Sequence, residues 1–374
     1  MADVRPFRAV RFAEPLGPVV APPFDVLSEE DVRRHEDRSP HNVVRLTRPG
    51  QDYEGAARLF RSWLDQGVLV EEDTPAMYVH ETSFDGRVRR DLVAALRLQP
   101  YQDRVVLPHE RTHRGPKEDR LALLRATGVS LEPLWFLADG LGGVLGTAPA
   151  PATREEFSFG TERHSLARVT DTGWLDAVSR FLATQPVLIA DGHHRYETTL
   201  AYCQEVDGGD DAASRFTLAL LSDLADPGLV VLPTHRLLKA GVAVTGGEVT
   251  GSLEETLAGI RGRVAAGCYR DGRFQILPLE GNVSVLELHR QVIDNMLGQR
   301  DPEGYLTYTR DAAEAVRWVD EGKGLAAFFL DTPDLAGVLD AARLGITMPQ
   351  KTTYFFPKPP SGMTFHRLDP GRRL

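Results

Sequence analysis

Two stretches of this chain gather side chains able to do chemistry. The first, LPHERTHRGPKEDR at residues 107–120, contains His109-Glu110-Arg111-Thr112-His113, the H-E-x-x-H pattern of zinc peptidases. In those enzymes both histidines bind one metal because they lie a turn apart on a helix several turns long, and the glutamate polarises the bound water. Here Pro108 and Gly115-Pro116 bracket the pattern and leave at most about two turns of helix. Arg111, Thr112 and Arg114 also stand where apolar side chains would anchor it. The preferred reading is a loop that presents Glu110 beside Arg111, His113, Arg114 and Lys117, with Pro116 opening a short helix that Gly128 closes. A charged surface loop capping that helix fits the same letters.

The second stretch, PVLIADGHHRYETTLAY at 186–202, carries more information. Its apolar run predicts a buried strand ending at Asp191, a turn at Gly192 and a helix from about His194. A strand end feeding a helix start sets open amide donors and the helix dipole toward one crevice, a place that favours an anion. Gly192 would let backbone approach a phosphate, Arg195 would fork onto its oxygens, and Asp191 would hold a metal, a hydroxyl or a proton. His193 and His194 are consecutive, so on a helix they diverge by about 100° and do not share one ion. The bland alternative makes Asp191 an N-cap and packs the histidines on neighbours.

Composition narrows the classes. With 43 basic and 53 acidic residues the net charge is −10, which argues against a general nucleic-acid binder. Basic islands remain at 104–120, five Arg/Lys against three acids, and at 351–374, five against one, and these suit a small anionic ligand. Cys203 and Cys268 are too few for a disulfide framework and fit a reducing cytoplasm. The start MADVRPFRAVRF has no apolar signal core and no stretch approaches a membrane span, so a cytoplasmic protein without membrane contact is expected. No P-loop occurs, and DGLGGVLG at 139–146 misses dinucleotide-binding spacing and reads as a turn. The oligomeric state is not legible.

The elements that must position these groups read as α/β, mixed α+β. Asp85-Gly86 joins two alternating arms as a hairpin. After TAPAPATREE at 147–156, a candidate seam, strands and helices alternate: DTGWLDAVSRFLAT helical, PVLIAD extended, RYETTLAYCQEV helical, FTLALLSD extended, LVVLPTHRLL extended. Further on, GSLEETLAGIRGRVAAG reads as one helix, CYRDGRFQILPL as a second Asp-Gly hairpin, and MPQKTTYFFPKPPSGM as an ordered irregular loop. This gives three parts, 1–150, 151–245 and 246–374.

Several blocks in order make the chain resemble the prokaryotic domain of unknown function 1015 family. They are APPFDVLS at 21–28, HNVVRLTRP at 41–49, LPHERTHRGPKEDRLALLRAT at 107–127, LEPLWFL at 131–137, IADGHHRYETTLAY at 189–202, LPTHRLL at 232–238 and MPQKTTYFFPKPPSGM at 348–363. The Asp-Gly-His-His-Arg core is also similar to the phosphate-binding motif of the ParB and sulfiredoxin superfamily, which includes kinases of free L-serine. The position of sulfiredoxin's reactive cysteine is His193 here, which puts peroxide-repair chemistry in doubt, and ParB's DNA-binding helices are not evident.

The resemblance implies a phosphotransferase moving a phosphoryl group from ATP, ADP or pyrophosphate, with Mg²⁺, to the hydroxyl of free serine. Asp191 and Glu110 would then be the base and metal carboxylates, and His193 and His194 would hold phosphate or relay a proton. Gly192, Arg195, Arg111, His113, Arg114 and Lys117 would line the phosphates. Lys351 and Lys358 would close over the site, with Tyr354 or Phe355 against a base or substrate, and Asp25 and Arg45 would grip the amino acid. The runner-up is a ParB-type nucleotide-binding regulator without turnover. The third reading is a zinc-dependent hydrolase built on His109, Glu110 and His113.

Overall fold

Asp85 and Gly86, both at positive φ (45° and 73°), turn the strand Met77–Phe84 into Arg87–Arg97, the tight hairpin that an Asp-Gly pair favours. The computed structural model describes residues 1–111, 115–206, 208–241, 246–298, 300–302 and 304–374, without the side chains of 115–117. It shows a mixed α/β chain in two units: Met1–Leu107, Thr112–Leu229 and Pro357–Leu374 form the first, Pro108–Arg111 and Val230–Phe356 the second.

The first unit is built on one large mixed sheet. Across it the strands run Val106–Leu107, Val187–Asp191, Leu134–Ala138, Phe216–Asp223, Arg87–Arg97, Met77–Phe84, Glu162–Val169 and Thr153–Phe159, with Val4–Arg5 pairing the far end of Arg87–Arg97. Val187–Asp191 lies parallel to Val106–Leu107 and antiparallel to Leu134–Ala138. Leu92, Leu134, Phe136, Ile189 and Leu221 pack with Trp174, Leu175, Val178 and Leu182 of the helix Thr172–Leu182, each large side chain contributing about 1.5–3 kcal/mol by leaving water. Asp171 caps that helix by accepting from Trp174 N–H.

The second unit has a six-stranded sheet in the order Glu248–Thr250, Arg273–Pro278, Ala265–Arg270, Ala326–Phe329, His235–Leu238, Leu306–Thr309. Ile260, Tyr269, Ile276, Ala315 and Phe329 form a core under the helices Leu253–Ile260 and Ala312–Asp320. Among the described residues no helix is long and apolar enough to cross a membrane.

Four expectations need correction. The helix expected through 251–267 stops at Ile260, because Gly262 takes positive φ (66°) and Ala265–Arg270 is drawn between two strands. LVVLPTHRLL is two strands broken at Pro233, since proline gives no ladder donor; Val230–Leu232 pairs with Tyr354–Phe356, so the tail is partly regular. Leu141–Leu145 is a short helix rather than a bare turn. The seam at 147–156 is no boundary: Glu162–Val169 beyond it pairs along its length with Met77–Phe84 before it.

Candidate functional site

The apolar strand Val187–Asp191 is buried through Ala190 and ends on Asp191, which is partly exposed. Its pairing with Leu134–Ala138 slips between Ile189 and Asp191, a bulge that sets Asp191 opposite Trp135. Gly192 follows at φ 99°, and the helix His193–Glu205 begins at once, Tyr196 N–H donating 2.8 Å to Gly192 O. A Cβ on Gly192 would meet Leu134 Cδ2 at 2.9 Å and Arg195 Nη2 at 3.2 Å, so both backbone and space demand glycine. The start of this helix leaves first-turn amides without intrahelical acceptors.

Asp191 sits between two cations. Its Oδ2 accepts from Arg195 Nη2 at 3.0 Å, one turn along the helix, and its Oδ1 lies 2.9 Å from Lys358 Nζ. Lys358 also donates to Asp25 Oδ2 at 2.9 Å. Arg195 Nη1 donates to Pro133 O at 3.0 Å and lies 3.8 Å from Glu132 Oε2. Glu132 Oε1 in turn accepts from Phe24 N–H at 2.9 Å and Ser361 Oγ at 2.8 Å. Three carboxylates thus alternate with two cations along one line. Burial opposes the charge of Lys358, but Asp191 and Asp25 overcome it and hold the ammonium above the ordinary lysine value. Arg195 is raised too: burial opposes its charge, and Glu132, Asp191 and Asp25 outweigh that. A small cavity of about 60 Å³, lined by Arg195, Glu132, Ser130, Thr198 and Arg120, adjoins the line.

Of the residues expected from sequence, the first unit therefore brings together Asp25, Asp191, Gly192, Arg195 and Lys358. His193 is buried and His194 partly so, both in the first turn after Gly192. Arg45 pairs with Glu36, through its main-chain oxygen at 3.2 Å and its carboxylate at 3.5 Å. His113 and Arg114 lie outside the described residues, as does the side chain of Lys117.

Glu110, Arg111 and Lys351 belong to the second unit. Residues 109–111 are extended rather than helical: Met348 N–H donates to His109 O at 2.7 Å and Arg111 N–H to Met348 O at 3.1 Å. Glu110 Oε1 accepts from the amides of Thr352 (3.0 Å) and Thr353 (3.2 Å), and Oε2 from that of Lys351 (3.2 Å), itself at φ 54°. His109, buried, shares a 2.8 Å hydrogen bond through Nε2 with Thr353 Oγ1 and meets Phe355 edge-on. Tyr354 lies under the Arg310 guanidinium at 4.4 Å. The first half of the H-E-x-x-H pattern thus fastens the tail, and no zinc-peptidase helix carries it.

Sequence reasoning missed Glu132 and Arg236, although both stand inside quoted blocks. Arg236, fully buried, donates to Thr234 O (2.6 Å), Lys351 O (3.1 Å) and His289 Nε2 (3.1 Å). Burial pushes it down to about 10, and burial with the neighbouring Arg236 and Arg111 pushes His289 to about 2.

The expected Mg²⁺ does not fit the carboxylates as arranged. Both oxygens of Asp191 face cations, both of Glu110 face amides, and among the described residues no group of three His, Cys, Asp or Glu is placed to hold a metal ion.

The chain belongs to the family described as protein of unknown function (DUF1015), whose profile matches residues 4–321. No curated protein matches it. Among solved structures, it is similar to a conserved hypothetical protein from Pyrococcus furiosus, with 17% identity and TM-score 0.39 over 71% of this chain and 93% of that one. A free serine kinase in complex with AMP gives 17% and 0.39 over 70% and 89%. SbnI with a C-terminal truncation, from Staphylococcus aureus, gives 11% and 0.38 over 73% and 87%.

Proposed function

We propose that this protein is a nucleotide-dependent phosphotransferase that phosphorylates the hydroxyl of free L-serine. The observation that supports this best is the corner at Asp191: a carboxylate ending a buried strand, a positive-φ glycine, a helix start, and Lys358 and Arg195 on the carboxylate's two oxygens. Phosphoryl transfer needs a proton acceptor for the hydroxyl and cations against the phosphoryl oxygens. Here they are paired with each other. A phosphoryl group arriving at the helix start competes with Asp191 for Lys358 and Arg195. As those cations turn to the phosphoryl oxygens, Asp191 is released to take the serine hydroxyl proton while the new O–P bond forms and the bond to the leaving group breaks. Asp25 keeps Lys358 in reach throughout, and Glu132 does the same for Arg195.

One observation favours a second reading. With Lys358 and Arg195 both committed to carboxylates, the same corner suits a regulator that binds a nucleotide and turns nothing over. Phosphorus-31 NMR separates the two. Purified protein is given Mg²⁺, L-serine and, in separate tubes, ATP, ADP or pyrophosphate, beside an Asp191→Asn control. Phosphoserine from wild type and not from the control supports the kinase and names its donor. Nucleotide binding without phosphoserine favours the regulator.

A further inference from the structure

Behind the Asp191 corner the first unit buries a second charged group that the proposed chemistry does not use. Arg89, 0% exposed, donates from Nε to both oxygens of Asp91 (3.0 and 3.1 Å) and from Nη1 to Pro357 O at 2.8 Å. Its guanidinium lies 4.4 Å over the Trp135 ring. Asp91, also 0% exposed, accepts from Ser222 Oγ at 2.5 Å, and Ser222 Oγ accepts from Trp135 Nε1 at 2.7 Å. Pro357 is the residue before Lys358, and Trp135 is the partner of Asp191 in the sheet. One buried ion pair therefore holds the backbone beside one member of the Asp191–Lys358 pair and the residue opposite the other.

The far end of this group is set by two histidines. His80 Nδ1 lies 3.1 Å from Asp91 Oδ2, and its Nε2 lies 3.1 Å from His164 Nδ1, the rings stacked at 5.3 Å and 8°. An ionised Asp91 accepts only, so His80 carries a proton on Nδ1. His164 Nε2 lies 3.3 Å from Glu162 Oε2, on the wall of a cavity of about 350 Å³. Asp91 thus receives three donors, from Arg89, Ser222 and His80, that hold its orientation. Burying a charged pair this completely is costly, and Arg89 Nη2 is left without a hydrogen-bond partner among the described residues, so the pair is better understood as fixing geometry than as adding stability.

We propose that Arg89 and Asp91 are positioning residues for the Asp191 site, fixing Pro357 and Trp135 so that Lys358 and Asp191 face each other. The assignment rests on the reading of that corner as the reactive site, but its test does not need activity. The chain has five lysines, so the ¹⁵Nζ signals of lysine-labelled protein can be assigned one by one, with Lys358→Met identifying Lys358. In wild type the Lys358 ammonium should give a sharp, slowly exchanging signal. Arg89→Met, which keeps an unbranched apolar stem but removes the guanidinium and its charge, should raise its hydrogen exchange at least 10-fold in protein that is folded by circular dichroism, and Arg89→Lys should recover part of the protection. Should Arg89→Met fail to fold, Ser222→Ala, which removes one donor, should shift the same signal in the same direction. A folded Arg89→Met or Ser222→Ala protein whose Lys358 signal is unchanged overturns the proposal, whether or not wild type makes phosphoserine. If wild type makes phosphoserine and these variants keep both the Lys358 signal and the full rate, positioning falls while the kinase reading stands.

Discussion

The ammonium of Lys358 lies 2.9 Å from Asp191, although one comes from the segment Pro357–Leu374 and the other from the end of the strand Val187–Asp191. Lys358 is nearly buried, its side chain 8% exposed, so it remains in place only while its two carboxylates do.

Asp191→Asn takes one carboxylate from Lys358 and gives Arg195 an amide in place of a carboxylate. Phosphoserine formation should fall at least about 100-fold, the usual scale for a lost general base. Stability should drop by on the order of 3 kcal/mol, as when one member of a mostly buried pair is removed. Phosphorus-31 NMR and urea titration measure the two; an intact rate would remove Asp191 from the chemistry.

Gly192→Ala places a Cβ at φ 99°, 2.9 Å from Leu134 Cδ2 and 3.2 Å from the Arg195 guanidinium. The left-handed backbone alone costs about 1–2 kcal/mol, and Arg195 must shift to make room. The urea midpoint should fall accordingly and the phosphoserine rate with it; a variant as stable as wild type would contradict the backbone described here.

Glu110→Ala strips the acceptor from the amides of Lys351, Thr352 and Thr353. Each unsatisfied amide costs about 1–3 kcal/mol, so hydrogen exchange at 351–353 should accelerate at least 10-fold while exchange in the strand Ala326–Phe329 stays as it was. Unchanged protection at 351–353 would mean Glu110 does not fasten the tail.

His366 is buried, its Nε2 3.1 Å from Ala213 O; burial pushes it down to about 4 although that carbonyl contact raises it. The folded value lies below the unfolded one near 6.5, so between these pH values the unfolded chain binds more protons. Stability should therefore decline as pH falls from about 6.5 toward 4, by up to roughly 1.4 kcal/mol per pH unit from this group. His366→Gln should flatten that part of the urea-midpoint profile; an unaltered slope would assign the acid sensitivity to other histidines.

How much of this was legible in the sequence depends on how local each signal is. The Asp191 corner was readable because an apolar run, a glycine and a helical pattern follow within a few residues. The Asp-Gly hairpins were readable for the same reason. The helix expected through 251–267 failed because AAG suits helix and strand alike, and the ladder neighbours of Ala265–Arg270 decide between them. Glu132 gave no local sign of its part, since its partners Phe24 N–H, Ser361 and Arg195 come from three other places in the chain. The pairing of Asp25 with Lys358 is likewise nonlocal; only the resemblance marked both segments, and it did not join them. Pro108 and Gly115-Pro116 marked His109 and Glu110 as loop rather than helix, but the Met348 backbone that pairs with them lies far along the sequence and gave no sign.

The chain leaves the first unit at Leu229 and returns to it at Pro357. On the ribosome, Asp191, Arg195 and Glu132 emerge long before Lys358 and Ser361 exist. Until the last segment is released, the nascent sheet holds three carboxylates of the line, Asp25 among them, against one cation. Its closing charge arrives only after Val230–Phe356 has been translated, so a chain interrupted anywhere in that stretch never acquires the completed site.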